Sequence, residues 1–506
     1  MSGRVDFPGA NCPSHHVPLP TAGTTARDLV SSPPMLRRLT LPVVLMFTMC
    51  IAGFEAWHTE RSTVVALATA DTVASPSAAT PLLSARRAPV WLQRPRADAA
   101  LVSALDAVMA ASPPDTCLVV RDNGRVLYSR NAILPLVPAS TVKLLTAFAA
   151  TEQLGRTATF DTLAVAGAAP QAGVVAGNLW VVGGGDPILS TKDYVDRFGQ
   201  PQPFTNVAAL VDRIVAAGVT QVLGDIIGDE SRYDTRRYVS TWDPSFIAGN
   251  ESGPLSALAM NDGFSVYPKS KFNSSATPAT DPAQLAASVI RDQLVGRGIR
   301  VTGAARSGRA PATTVEVARV TANLGDIVIE MLGQSDNFTA ESLTKELGFK
   351  VGGEGSTAAG VAATRDILAK AGLPLDNVSI VDGSGLDRSN RLTCTLLAAV
   401  LERLGAASDI AKALPVAGKS GTLAERFVGS AAAGRIRAKT GSLRNSRALA
   451  GFADAGAASD QRTLTFAYIA NQTNLNIDAN LKVQDQLGLG LVSYPQGTTL
   501  AQLAPQ

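Results

Sequence analysis

The chain has 506 residues, 46% hydrophobic and 17% charged, which suits globular domains and leaves sequence enough for two or three of them. Its net charge of +3, with no basic run interleaved with aromatics, argues against a nucleic-acid partner. All three histidines (His15, His16, His58) lie near the start, and the four cysteines (Cys12, Cys50, Cys117, Cys394) form no Cys-x-x-Cys pair. Histidine triads and dyads, zinc sites and dithiol redox motifs are thereby set aside for the body of the chain, and no metal or cofactor is expected. A nucleophile there needs another base, and a lysine with a depressed pKa is the natural candidate.

In chain order, residues 1–38 read as a disordered tail, with Met35 an alternative start. Residues 39–57 contain the apolar run "LTLPVVLMFTMCIAGF" directly behind Arg37 and Arg38, the layout of a signal anchor or signal peptide. No small-x-small cleavage site follows closely, which favours an uncleaved anchor. The rest of the chain would then lie in the cell envelope, outside the cytoplasm. Residues 58–95, rich in Ala, Ser, Thr and Pro, read as a flexible tether. In 96–160, "TCLVVRD" and "RVLYSR" flank Asn123-Gly124 as a hairpin, and a helix follows from "PASTVKLLTA". Residues 161–310 change texture, alternating short strands with turns around one clear helix, "VAALVDRIVAAG", and read as an inserted module. Residues 311–495 return to helices ("LGDIVIEMLGQ", "FTAESLTKELGF", "GVAATRDILAKAG", "LTCTLLAAVLERLG") and close with three strands; 496–506 is a tail. The two flanks together make one sheet-and-helix domain. Cys117 and Cys394, in a strand-like and a helix-like run, are expected to be buried free thiols, with a disulfide between them as the alternative.

Three short motifs carry the chemistry. Ser140 and Lys143 stand at i and i+3 where an apolar helix begins, so they share a face. Ser335, Asp336 and Asn337 fall at the join of two helices, where polar side chains can project into a cleft. Lys439, Thr440 and Gly441 lie within a strand-like segment, where a glycine often marks close approach of another backbone. Alone, each is ordinary: a capping serine, a loop, a strand. "SLTK" (Ser342 to Lys345) is set aside as mid-helix, and "KSGT" (Lys419 to Thr422) as loop.

In this order, Ser-x-x-Lys, Ser-Asp-Asn and Lys-Thr-Gly form the set described for penicillin-binding proteins and serine β-lactamases. The long interval between Ser140 and Ser335 and the stretches "GNLWVVGGGDPIL", "GDIIGDES", "VDGSGLDRSNRLT" and "GKSGTLAER" resemble the DacB-type D-alanyl-D-alanine carboxypeptidases/endopeptidases, the class C low-molecular-weight penicillin-binding proteins. The resemblance spans roughly residues 100 to 490. It implies an α/β (α+β) fold, a transpeptidase-like antiparallel sheet flanked by helices with a large module inserted between the first two motifs. It also implies hydrolysis of D-Ala-D-Ala in peptidoglycan stem peptides through an acyl-enzyme, with β-lactams as covalent inhibitors. Ser140 is then the nucleophile and Lys143 its base, its pKa lowered by burial and by the charge of Lys439. Ser335 relays a proton, Asn337 holds the substrate amide and Lys143, and Lys439, Thr440 and Ser442 beside Gly441 bind the terminal carboxylate. The resemblance assigns the oxyanion hole to the N–H groups of Ser140 and Ser442, and recognition of the stem-peptide diamino acid to Arg388 and Asp243. A turn role for Asp243 is equally open. The rival readings are a β-lactamase or esterase on the same fold, or a wall-binding protein without activity.

Overall fold

A computed structural model describes residues 90–270, 273–456 and 462–495. The expected N-terminal tail, the apolar segment 39–57, most of the 58–95 tether and the C-terminal tail lie outside those residues. Helix α1 (Val90–Ala110) begins inside the expected tether despite Pro95. It leads into strands β1 (Asp115–Asp122) and β2 (Arg125–Arg130), which pair antiparallel. Asn123 and Gly124, both at positive φ, form the two-residue turn their sequence announces. A single 3-10 turn, Ala139–Val142, then opens into α2 (Lys143–Leu154).

The next segment builds its own sheet from β3 (Thr159–Ala166), β4 (Leu179–Val182), β5 (Ile226–Asp229), β6 (Ala305–Ser307) and β7 (Val315–Asn323), in the order β6-β5-β4-β3-β7. Residues 315–323 thus pair with this module's sheet rather than with the sheet that follows. Two helices lie against it, α3 (Val207–Ala216) and α4 (Pro282–Gly296), burying Leu210, Ile214, Ile290 and Leu294 against Ala164 and Val181. Helix α4 was not singled out in the sequence, although Asp281 caps it through Gln284 N and Pro282 opens it.

Helices α5 (Leu324–Gln334), α6 (Asn337–Gly352), α7 (Thr357–Lys370) and α8 (Cys394–Leu404) follow, then strands β8 (Ile436–Leu443), β9 (Ser446–Ala455) and β10 (Arg462–Asn471), and α9 (Ile477–Ser493). The main sheet has the order β8-β9-β10-β1-β2, so strands from both ends of the chain share it. Its neighbours all pair antiparallel. Alternate residues of β1 and β10 face opposite ways, and both faces are covered. Cys117, Val119 and Ile469 pack with Leu144, Phe148, Leu343 and Leu397 on one side. Leu118, Val120, Phe466 and Tyr468 pack with Leu105, Leu487 and Leu491 of α1 and α9 on the other. Burial on both faces is why "TCLVV" and "FAYIA" read as unbroken apolar runs.

Cys117 and Cys394 correct the expectation of free thiols. They form a disulfide, Cα–Cα 6.0 Å, joining β1 to the first residue of α8. The two cysteines are 277 residues apart, with the whole module between them, so spacing carried no hint of the pair.

Candidate active site

Lys143 is fully buried at the start of α2. Its Nζ lies 3.0 Å from Ser140 Oγ, 2.7 Å from Asn337 Oδ1 and 2.7 Å from the carbonyl oxygen of Ser384. The orientation of Asn337 is set from its other side, where Nδ2 donates to the carbonyl oxygen of Glu251 at 2.6 Å. An amide oxygen and a backbone carbonyl can only accept. When Lys143 is neutral its two hydrogens therefore go to Asn337 and Ser384, and its lone pair is left facing the Ser140 hydroxyl. Burial lowers the Lys143 pKa to about 8, against an opposing pull from the carboxylates of Asp336, Asp382 and Glu341.

Lys439 is also fully buried, and its Nζ donates to Ser335 Oγ at 2.7 Å and to the Thr440 carbonyl at 2.9 Å. Burial, and then the charge of Lys143, hold its pKa well below the usual lysine value. Both lysines are lowered chiefly by burial, Lys143 with nearby carboxylates pulling the other way, and the repulsion between them disfavours charging both at once.

The backbone around Ser140 is held from three sides. Ala139 sits at φ 48°, a region unfavourable for a side chain and common at functional turns. Ser446 Oγ donates to the Val137 carbonyl at 2.6 Å, and Val137 N donates to Asn471 Oδ1 at 2.7 Å, tying the preceding residues to the sheet. Two glycines allow neighbours to close in. A Cβ at Gly385 would fall 2.1 Å from the Ala139 carbonyl oxygen, and one at Gly441 would fall 2.6 Å from that of Pro138. The Lys-Thr-Gly glycine is there because β8 passes against the serine's turn.

Ser335 occupies the left-handed position that ends α5, Asp336 caps α6 by accepting from Thr339 N at 2.6 Å, and Asn337 is the first residue of α6. The helix join expected from the sequence is therefore a turn that presents Ser335 and Asn337 side by side to the two lysines. The loop carrying Ser384 and Gly385 is organised by buried Asp382. Its carboxylate accepts from Gly385 N, Asp387 N, Asn390 Nδ2 and Trp242 Nε1 at 2.7 to 2.9 Å. Ser384, Asp382, Glu341 and Glu251 were not singled out in the sequence. Only "VDGSGLDRSNRLT" offered a signal, in a Gly-Ser-Gly run between two aspartates.

These residues open onto a cleft of about 740 Å³ lined by Ser140, Ser335, Asn337, Thr440, Gly441 and Ser442, with Phe246, Glu251, Arg388, Thr422 and Arg426 around them. Arg388 pairs with Asp243 at 3.3 Å. Asp243 also caps the short helix Pro244–Ala248 through Ser245 N, which fits its reading as a turn residue. Of the set-aside motifs, Ser342 and Lys345 are buried in mid α6, Lys345 bonding Asp234 and the Arg236 carbonyl. The other was dismissed too broadly, because Thr422 of "KSGT" reaches the cleft and its Oγ accepts from Thr440 Oγ at 2.8 Å.

A fold with these three motifs around one cleft defines a penicillin-binding-protein type of serine enzyme. The sequence profile of the D-Ala-D-Ala carboxypeptidase 3 (S13) family matches residues 104–273 and 265–489. The chain is 34% identical over 398 residues to a carboxypeptidase of Mycobacterium tuberculosis, covering 75% of this chain and 81% of that one. It is 31% identical over 409 residues to carboxypeptidase DacB of Mycolicibacterium smegmatis, covering 77% and 85%. Its fold is similar to that of penicillin-binding protein 4 from Haemophilus influenzae, with a TM-score of 0.63 at 21% identity over 77% of this chain and 99% of that one. The chain belongs to the D-Ala-D-Ala carboxypeptidase 3 (S13) family of serine-type peptidases.

The close approach of β8 gives a first test. Gly441→Ala forces β8 away from the serine's turn, an overpacking that typically costs about 1–3 kcal/mol. We expect a folded protein whose Ser140 is acylated by fluorescent penicillin roughly tenfold more slowly or worse, read from labelling time courses. An unchanged rate would mean that the contact does not position Ser140.

Proposed function

We propose that this protein is an envelope D-Ala-D-Ala carboxypeptidase that acts on peptidoglycan stem peptides through an acyl-enzyme on Ser140. The observation that carries the reading is that buried Lys143 Nζ lies 3.0 Å from Ser140 Oγ and bonds two groups that can only accept, Asn337 Oδ1 and the Ser384 carbonyl. Ser140 Oγ attacks the penultimate D-alanine carbonyl as its proton passes to Lys143 Nζ. The N–H groups of Ser140 and Ser442 hold the oxyanion, which then collapses and breaks the C–N bond. Ser335, bonded to Lys439, delivers its proton to the leaving amine and takes back the one held by Lys143, which is neutral again. Water then attacks the ester as its proton passes to Lys143, which returns it to Ser140 Oγ as the ester C–O bond breaks. Lys439, Thr440 and Ser442 bind the terminal carboxylate by charge and hydroxyl contacts.

Mass spectrometry after incubation with penicillin tests this directly. We expect one adduct, on Ser140, absent from Ser140→Ala and strongly reduced in Lys143→Ala. Because the base must be neutral and titrates near pH 8, the second-order acylation rate should fall about tenfold per unit below that pH and level off above it. An adduct on Ser342, or a flat profile from pH 6 to 9, would sink the assignment.

Arg388 lines the cleft and forms a surface ion pair with Asp243, and we assign the two to the carboxylate and ammonium of the stem-peptide diamino acid. β-Lactams lack that side chain. Arg388→Ala and Asp243→Ala should lower kcat/KM on stem peptides roughly tenfold, a single charge-assisted contact, and alter penicillin acylation less than about threefold. Equal losses on both would refute the assignment.

Action outside the cytoplasm is supported by the family and by the Cys117–Cys394 disulfide, a bond that persists in oxidising compartments. Among the described residues no helix is long and apolar enough to cross a membrane. We assign attachment to residues 39–57 as an uncleaved anchor. The full chain should then sediment with membranes and resist high-salt extraction, whereas a chain beginning near residue 90 should be soluble and acylated. A mature form beginning near residue 69 would establish cleavage instead.

A further inference from the structure

Strand β8 is the free edge of the main sheet, but only in part. Residues 415–417 run beside its first half: Ala438 N donates to the Pro415 carbonyl at 3.0 Å and Ala417 N to the Ile436 carbonyl at 2.9 Å. From Lys439 onward the edge is open to the cleft. A peptide added there as an extra strand meets, at the Lys439 and Thr440 end, the turn Gly421–Leu423 that follows this covering segment. Thr422 stands on that turn.

The turn is rigidly seated. Gly421 lies at φ +57°, and a Cβ there would fall 2.6 Å from the Gly333 carbonyl oxygen at the end of α5 and 3.1 Å from Pro415. Leu423 is fully buried, and the Ser420 hydroxyl accepts from Val416 N at 3.2 Å. The position of Thr422 is thus fixed by α5 on one side and by the covering segment on the other.

Its chemistry complements Thr440. Each hydroxyl has one proton. Thr440 gives its proton to Thr422, which leaves the Thr422 proton for another acceptor. A carboxylate seated by Lys439 accepts that proton, so that Thr440 donates to Thr422 and Thr422 to the carboxylate. We infer that Thr422 is a further substrate-binding residue, whose hydroxyl, coupled to that of Thr440, donates to the free carboxylate of the leaving residue and sets a preference for substrates that carry one. The inference rests on the reading that Lys439 and Thr440 receive that carboxylate.

The test compares acylation of Ser140 by benzylpenicillin, whose carboxylate takes the leaving-residue position, and by its uncharged methyl ester, in wild type, Thr422→Val and Thr422→Ser. A lost hydrogen bond to a charged group predicts a fall of roughly tenfold or more in the second-order rate for the acid in Thr422→Val. The ester should change less than about threefold, and Thr422→Ser should restore the preference. Equal loss on both compounds, no loss on either, or failure of the serine to restore the preference overturns the inference. In those cases a normally acylated wild type leaves the proposed function standing. A wild type without an adduct on Ser140 overturns both.

Discussion

The site depends on keeping one amine dry. Lys143 sits at the mouth of α2 with no exposed surface, and its pKa of about 8 lies some 2.5 below the ordinary lysine value of 10.5. At neutral pH that difference costs the fold roughly 3 kcal/mol. Because the unfolded chain holds this proton up to a higher pH than the folded one, the cost is present in full below pH 8 and is recovered as pH rises towards 10.5. Such a cost is tolerated only where the hydrogen bonds are complete, and here three oxygens satisfy the nitrogen. Lys439 lies close enough to feel the same charge, so the two lysines are not easily protonated together. The Ser335 hydroxyl, next to Asn337 in the chain, accepts from Lys439.

Close backbone contacts turn this chemistry into geometry. Gly385 and Gly441 bring two unrelated segments against the turn of Ser140, and Ala139 takes up the strain that lets the serine face them. Helix α9 shows the same economy at a distance. A Cβ on Gly488 would lie 2.6 Å from Phe427 and 2.7 Å from Ile436, so a glycine that weakens the helix pattern seats it against the start of β8. The apolar clusters on both faces of the sheet then hold β8 in register, and the disulfide ties β1 to the helical layer.

What was legible in the sequence follows from how local each signal is. The Asn123-Gly124 hairpin, helices α5 to α8 and the late strands are written in short-range periodicity and turn chemistry, and the three motifs stood in the right order on the right elements. Helix α1 was missed because Pro95 and the tether composition masked it, and α9 because Gly488 and Gly490 interrupt its pattern. Other features arise only through the fold. The Cys117–Cys394 bond and the donation from Trp242 to Asp382 join residues from distant parts of the chain, and the arrival of Thr422 beside Thr440 needs the turn and the strand to fold together. The lowered pKa of Lys143 was legible from a lysine on an apolar helix face, whereas the opposing carboxylates of Asp336, Asp382 and Glu341 were not, because no spacing reveals them around Lys143.

The inserted module is built into the site rather than appended to it. Among its contacts with the rest of the domain, the Glu251 carbonyl accepts from the Asn337 amide, Trp242 donates to Asp382, Asp234 pairs with Lys345, and Arg232 and Tyr233 bond Glu346. Remove the module and Asn337 is free to turn its amide over, presenting hydrogens to a base that needs an oxygen. Asp382 loses a donor in the loop that supplies the Ser384 carbonyl, and Lys345 keeps a buried charge without its carboxylate. The Glu251 and Trp242 contacts lead back to the same atom, Lys143 Nζ, since they hold the Asn337 amide and the loop of Ser384, whose oxygens that nitrogen bonds. The long interval between the first two motifs thus supplies two of the contacts that surround Lys143.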